Sequence, residues 1–376
     1  MIGDNLLIMN AKRIYKNRTI YIEDQIRIEY KRGKIFCINN LTDQRLLQYD
    51  FGSTAFERLV CSIPILERLF RLEPRHAVRW TESEFLISLR GHLYKIDVAS
   101  GAVEKVFSYA KGTNNPLHFC QYVRNGIQEM AFGDYNGHDE NGCVGIYRYS
   151  NKGLDKIAAF VKNQVDHIHR VEFDQHRDCY WIFTGDKNSA SGIWHMDYDG
   201  GAINPFLVGD QKYRACVAFI ENEKILFATD TPFEQNHICS IDIAHKHIDT
   251  LCAIPGPCIY GTIVPNGETS IYCISTSVEP DNSLPKYIYR VTYKLGAGVT
   301  DRYSYVLTGN AEEGFHKIWK TRKDILPMGL FQFGNHRFPS QTVNGKLFFC
   351  PQSCKGKGGT YVIDFSEKND RVPEER

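Results

Sequence analysis

An all-β propeller of six blades is the fold the sequence predicts, and three observations carry that reading. First, a short apolar strand ending in a small or polar residue recurs as FLISLR (85–90), MAFGD (130–134), WIFTGD (181–186), ILFATD (225–230), IYCIST (271–276) and LFFCPQ (347–352). The last residues Arg90, Asp134, Asp186, Asp230, Thr276 and Gln352 step by 44, 52, 44, 46 and 76. Second, a further strand-like segment follows each: HLYKID (92–97), GIYRYS (145–150), GIWHMD (192–197), ICSID (238–242), YIYRVT (287–292) and TYVIDF (360–365). Third, another precedes each: HAVRW (76–80), LHFCQYV (117–123), HIHRVEF (167–173), ACVAFI (215–220), YGTIV (260–264) and FPSQTV (338–343). With a weaker fourth strand, as in EKVFSY (104–109) and DKIAAF (155–160), the period of roughly 40–50 residues is that of a four-stranded propeller blade.

Taken in order, residues 1–50 alternate apolar and polar positions with Arg32-Gly33 as a turn, and are expected to close the last blade, which removes a free edge. Residues 54–73 place Leu59, Ile63, Leu66 and Phe70 on one helical face, with Pro64 kinking or splitting the helix. Residues 75–376 supply the six blades of a single domain, and the long sixth step holds NAEEGFHKIWKTRKDILP (310–327), read as a helical or irregular insertion.

Composition narrows the function. Lys+Arg 45 against Asp+Glu 44 leaves a net charge of +1, so no global field draws nucleic acid or an anionic membrane. The N-terminus carries Asp4 beside a short apolar run and does not read as a signal peptide, and no window approaches a membrane span, so a soluble, cytoplasmic chain is expected. Twelve cysteines lie mostly within apolar runs without a CxxC pair and read as buried reduced thiols.

In propellers generally, first-strand starts and second-strand ends meet around a funnel. That rule gathers Arg75, His76, His118, His167, His169, Arg170, Tyr213, Arg214, Tyr260 and Arg337 with Arg90, Asp134, Tyr135, Asp186 and Asp230. The carboxylates Asp134, Asp186 and Asp230 could serve as general acid and base, with His167 assisting, or could simply cap turns by accepting backbone N–H bonds. The arginines match a substrate carboxylate as guanidinium forks, or pair with the aspartates. Tyr135, Tyr213 and Tyr260 could stack on sugar rings. HIH at 167–169 on one strand face, with His76 or His118, could hold a divalent metal, although no cofactor is needed for the main reading.

The turn Ser150-Asn151-Lys152-Gly153 resembles a degenerate Asp-box, and Asp197-Tyr198-Asp199-Gly200 is a fainter echo. With the arginines, aspartates and tyrosines above, the chain resembles the sialidase-like (BNR/Asp-box) six-bladed propellers. That resemblance implies a carbohydrate-active enzyme binding an acidic sugar or polysaccharide, by glycoside hydrolysis or transfer. Metal-dependent propeller lyases of uronic-acid polysaccharides, and a propeller that binds a glycan or protein without catalysis, are the alternatives.

Overall fold

A computed structural model describes residues 9–52 and 54–366. The first eight residues, on which the reading of the N-terminus rests, lie outside that range. Seven antiparallel sheets, each built on four consecutive strands of the ring order, make the protein an all-β propeller with seven blades. Among the described residues four short α-helices interrupt them: α1 (Ala55–Ser62), α2 (Pro64–Phe70), α3 (Lys286–Val291) and α4 (Met328–Phe331).

The expected count of six is corrected at the N-terminus. Arg18–Ile22, Ile26–Lys31, Lys34–Asn39 and Arg45–Asp50 form a blade of their own, joined by Ser340–Gln341 in parallel. Only Lys12–Tyr15 crosses to the last blade, where it pairs with Thr360–Asp364. The alternation in 18–50 was visible, but Arg27 and Glu29 within Ile26–Lys31 kept it from matching the apolar signature of the later repeats.

A second correction concerns the long step. Residues 287–292 form α3, not a strand, and the third and fourth strands of that blade are Tyr303–Asn310 and Gly314–Arg322. The insertion is therefore the α3 segment, whereas 314–322, expected to be helical or irregular, is extended. Pro285 caps α3, while Val306, Leu307 and Ile318 are buried by the strands that displace it. Likewise the last blade's first strand is Asn335–Arg337, upstream of the expected 338–343.

The helix pair follows its sequence signals. Thr54 accepts from the Glu57 backbone N–H while the Glu57 carboxylate accepts from Thr54 N–H, a reciprocal cap on α1. Pro64 then opens α2, so the proline splits the helix where its missing N–H costs nothing.

The chain divides into two compact units. One comprises Pro74–Thr231 and Cys239–Thr250, and its blades pack face to face through apolar layers. Val78, Leu86, Phe119 and Phe132 form one layer, Ile146, Phe160, Val171, Tyr180 and Trp194 the next, and Trp181, Phe183, Ala218 and Phe227 a third. Fully burying side chains of this size contributes about 1.5–3 kcal/mol each, which makes these layers the main source of rigidity for the strand ends. The other unit comprises Met1–Glu73, Pro232–Ile238 and Leu251–Arg376, with Val264, Val306, Ile318, Leu347, Phe349 and Ile363 as its main core. All twelve cysteines are free thiols. Among the described residues, no helix is long and apolar enough to cross a membrane.

Candidate metal centre

The site grows out of one hairpin. Strands His167–Asp174 and Cys179–Gly185 pair with His167 opposite Gly185, so Asp186 follows directly beside the histidines. The register shifts between Ile168 and Arg170, a bulge at His169, and shifts again between Ala215 and Val217 at Cys216 on the next blade. Bulges re-aim the side chain they carry. Here they bring His169 and Cys216 into one cluster.

Within it, His167 Nε2 and His169 Nε2 stand 3.0 Å apart, and Asp186 Oδ1 lies 3.7 Å and 3.5 Å from them respectively. Arg214 meets Asp186 Oδ1 at 2.8 Å, donates to the Asp186 carbonyl at 3.1 Å, and approaches Asp230 Oδ2 at 3.5 Å. Cys216 Sγ donates to Asp230 Oδ2 at 3.2 Å. Both histidines, Arg214 and Asp230 are buried, while the Asp186 side chain keeps 48% of its exposure and forms the accessible wall. Tyr135 sets its ring edge against His167 with centroids 4.7 Å apart, and Arg75 lies 5.0 Å over the face of Tyr135.

Gly185 is fixed by this packing. A Cβ there would sit 2.3 Å from His169 Cε1 and 2.8 Å from its Nε2, so only glycine lets the imidazole lie against the strand.

The electrostatics follow from burial and neighbours. Burial lowers His167 to about 4, with His169 adding to the effect, so its imidazole is neutral at pH 7. Burial opposes ionisation of Asp186, but the hydrogen bond with His169 and the Arg214 charge outweigh it and hold the carboxyl well below its usual range. Burial raises Asp230, against the pull of Arg214.

Two groups of ligand-type atoms among the described residues fall within 4.8 Å of one another: His167, His169 and Asp186, and His169, Cys216 and Asp230. The first fits a divalent cation on its own chemistry. His169 Nδ1 lies 3.2 Å from the Ala215 carbonyl, a contact that fixes the orientation of the ring. His167 Nε2 faces His169 Nε2 at 3.0 Å, a spacing that either a single proton or a shared cation resolves. Two buried imidazoles, that of His167 neutral, and an ionised carboxylate are donors suited to a borderline transition ion.

The other expected residues are placed as follows. Asp134 accepts from Gly145 N–H at 2.8 Å and from Tyr147 OH at 3.3 Å, and burial raises it to about 6. It therefore serves its own sheet. His76 contacts the Leu117 carbonyl at 2.5 Å and His118 contacts Glu172 at 3.0 Å, so neither joins His167 and His169 as the metal reading had it. Arg170 is engaged by the same Glu172, which burial pushes up but Arg170 and His118 hold at about 2. Arg75 donates to Asn115 O. Tyr213 packs under Lys212 at 5.0 Å, and Arg90 occupies a tight turn with Gly91 at φ 50° and 78°. Tyr260 and Arg337 belong to the other unit, where the guanidinium lies 5.4 Å over the ring. Cys216 was missed as a site residue; its one signal is its place two positions after Arg214 at a first-strand start.

No family model matches the chain, and no curated protein does. Among solved structures, an oligogalacturonate lyase from Vibrio parahaemolyticus matches 96% of this chain and 92% of its own with TM-score 0.55 at 11% identity. An oligogalacturonate lyase in complex with manganese covers 95% and 90% with TM-score 0.52 at 10% identity. A chain of the mitotic checkpoint complex covers 97% and 96% with TM-score 0.53 at 8% identity. At such identities the likeness defines the class of fold, a β-propeller. Seven blades and these neighbours replace the sialidase-like expectation, and Ser150 to Gly153 is a plain turn in which Lys152 N–H donates to Ser150 Oγ at 3.2 Å.

Proposed function

We propose that the chain is a metal-dependent lyase acting on uronate-containing oligosaccharides. The observation that carries this reading is the triad of His167, His169 and Asp186, two buried imidazoles and an ionised carboxylate converging beside Arg214. His167, His169 and Asp186 would hold the ion. When bound, a divalent cation polarises a sugar carboxylate and so acidifies the carbon-bound proton next to it.

The chain's own residues supply the rest. Arg214 orients the uronate carboxylate by its guanidinium fork, exchanging part of its contact with Asp186 for the substrate. Tyr135 braces His167 from the side, and the Ala215 carbonyl fixes the His169 ring in place. Elimination is favoured over hydrolysis because Asp134 is engaged by Gly145 and Tyr147, which leaves Asp186 and Asp230 sharing one arginine and no converging trio of carboxylates. The manganese complex of an oligogalacturonate lyase on the same fold gives the reading a precedent.

The test is a panel of acidic oligosaccharides incubated with the protein and manganese, followed by ultraviolet absorbance of the unsaturated product. Product that forms with the ion and disappears with a chelator supports the assignment. Reducing ends released without unsaturation would replace it with hydrolysis.

A further inference from the structure

Next to the triad lies the second group of ligand-type atoms, His169, Cys216 and Asp230, and the proposed chemistry gives Cys216 and Asp230 no task. All three side chains are buried. Among the described residues, Cys216 is the one cysteine that falls in such a group. The backbone places it there: the bulges at His169 and at Cys216 stand on neighbouring blades, and Asp230 follows directly on the strand Lys224–Thr229 that pairs with Ala215–Ile220.

The spacing suits an ion. A tetrahedral ion that takes a thiolate at about 2.3 Å and a carboxylate oxygen at about 2.0 Å holds those two donors about 3.5 Å apart. Cys216 Sγ stands 3.2 Å from Asp230 Oδ2, and the imidazole donor lies within 4.8 Å of both. The ion sits among its three donors and replaces the thiol proton that Cys216 now directs at Asp230; that proton leaves to solvent. The way in passes Asp186, whose side chain keeps 48% of its exposure and stands 3.5 Å from His169.

Charge favours the same group. A thiolate and a carboxylate cancel the two charges of a divalent ion and a ligating imidazole adds none, so the loaded group is neutral and costs less to hold away from water. The outer triad of His167, His169 and Asp186 offers one anionic donor. Arg214 makes its closer contact with Asp186, at 2.8 Å against 3.5 Å to Asp230, so Asp230 is the carboxylate better able to turn to an ion.

We infer that His169, Cys216 and Asp230 form a second metal site, for a thiophilic divalent cation of the zinc or cadmium kind. Sulfur selects such ions, whereas a set of imidazoles and a carboxylate admits harder ones such as manganese. His169 belongs to both groups, so zinc in the inner one takes a ligand from the outer one and opposes manganese there. The inner site rests on its own three donors. Only the opposition to manganese rests on the lyase reading.

Cadmium titration of the metal-free full chain, followed by the ultraviolet thiolate-to-cadmium charge-transfer absorbance, tests it. The band should saturate at about one ion per chain. It should vanish in Cys216→Ser and persist in Cys143→Ser, a half-buried cysteine elsewhere in the same unit. Zinc affinity should fall by more than about a hundredfold in Cys216→Ser, since a ligand is lost, while manganese affinity holds. Saturating zinc should weaken manganese binding about tenfold or more in the unsubstituted chain. No thiolate band, a band that survives Cys216→Ser, or one lost in Cys143→Ser overturns the inner site. Manganese that binds undiminished beside bound zinc overturns the competition for His169. A chain that never binds manganese but shows the Cys216 band keeps the inner site and sinks the lyase reading. Should Cys216→Ser fail to fold, X-ray absorption of the zinc-loaded unsubstituted chain decides: one sulfur neighbour at about 2.3 Å supports the site, and nitrogen and oxygen neighbours alone overturn it.

Discussion

Each of the two units holds a buried polar cluster, and the two clusters differ in their donors. In the unit around the 167–185 hairpin, one arginine, Arg214, faces two carboxylates beside two imidazoles. In the other unit, Glu73 accepts from Gln332 and Gln352, and Gln332 accepts from Arg337. The first gathers histidines and aspartates at strand ends around one guanidinium, whereas the second joins Glu73, from the segment after α2, to glutamines and arginines. Burial of polar groups does not by itself make a site. The identity of the donor atoms says what it can hold.

The sharpest way to break this contrast is to remove a ligand. His169→Ala should lower metal affinity by more than about a hundredfold, because ligand loss exceeds the 10–100-fold typical of outer-shell changes; equilibrium dialysis against manganese reads it.

Acid acts next. His167 is lowered to about 4 and His336, buried between Ser304 and Thr321, to about 3. Both have folded-state values below their unfolded value of about 6.5, so the unfolded chain binds more protons and stability rises with pH across that window. Full stability from these groups is present above pH 6.5 and is lost progressively toward pH 4 and 3, with His167 contributing on the order of 3 kcal/mol. Urea midpoints measured from pH 7 to pH 4 should fall, and His167→Gln should flatten the profile.

Gly185→Ala should cost about 1–3 kcal/mol by forcing the His169 ring off the strand, with metal affinity falling more than stability in paired dialysis and melting experiments. The smallest effect expected on the metal is that of Arg214→Gln. It frees Asp186 from a competing cation, so manganese affinity should hold or rise while KM for an acidic oligosaccharide increases about tenfold or more. A fall in both would place Arg214 in support of the ligands rather than on the substrate.

Much of the architecture was legible because burial enforces pattern. All six expected second strands appear, since a strand covered on both faces must read as a continuous apolar run, as Cys179–Gly185 does. The first blade escaped because Ile26–Lys31 carries Arg27 and Glu29, a buried pair at 2.7 Å that looks solvent-facing in sequence. Tyr287 and Ile288 looked like strand residues, yet α3 leaves Tyr287 74% exposed, so their apolar character was not a burial signal. The pairing of His167 and His169 with Asp186 could be read from hairpin geometry. The roles of His76, His118 and Asp134 could not, because each is decided by a partner that only tertiary packing supplies, as Glu172 is for His118. Cys216 joins the cluster through a bulge, and alternation alone does not reveal one.

Metal content of the purified protein tests the central claim most directly. After exposure to manganese and gel filtration, elemental analysis should find about one ion per chain in the unsubstituted protein. The His167→Ala, His169→Ala variant, with an unchanged far-ultraviolet circular dichroism spectrum, should carry none. An unsubstituted protein that retains no ion, or a double variant that retains as much, would contradict the account.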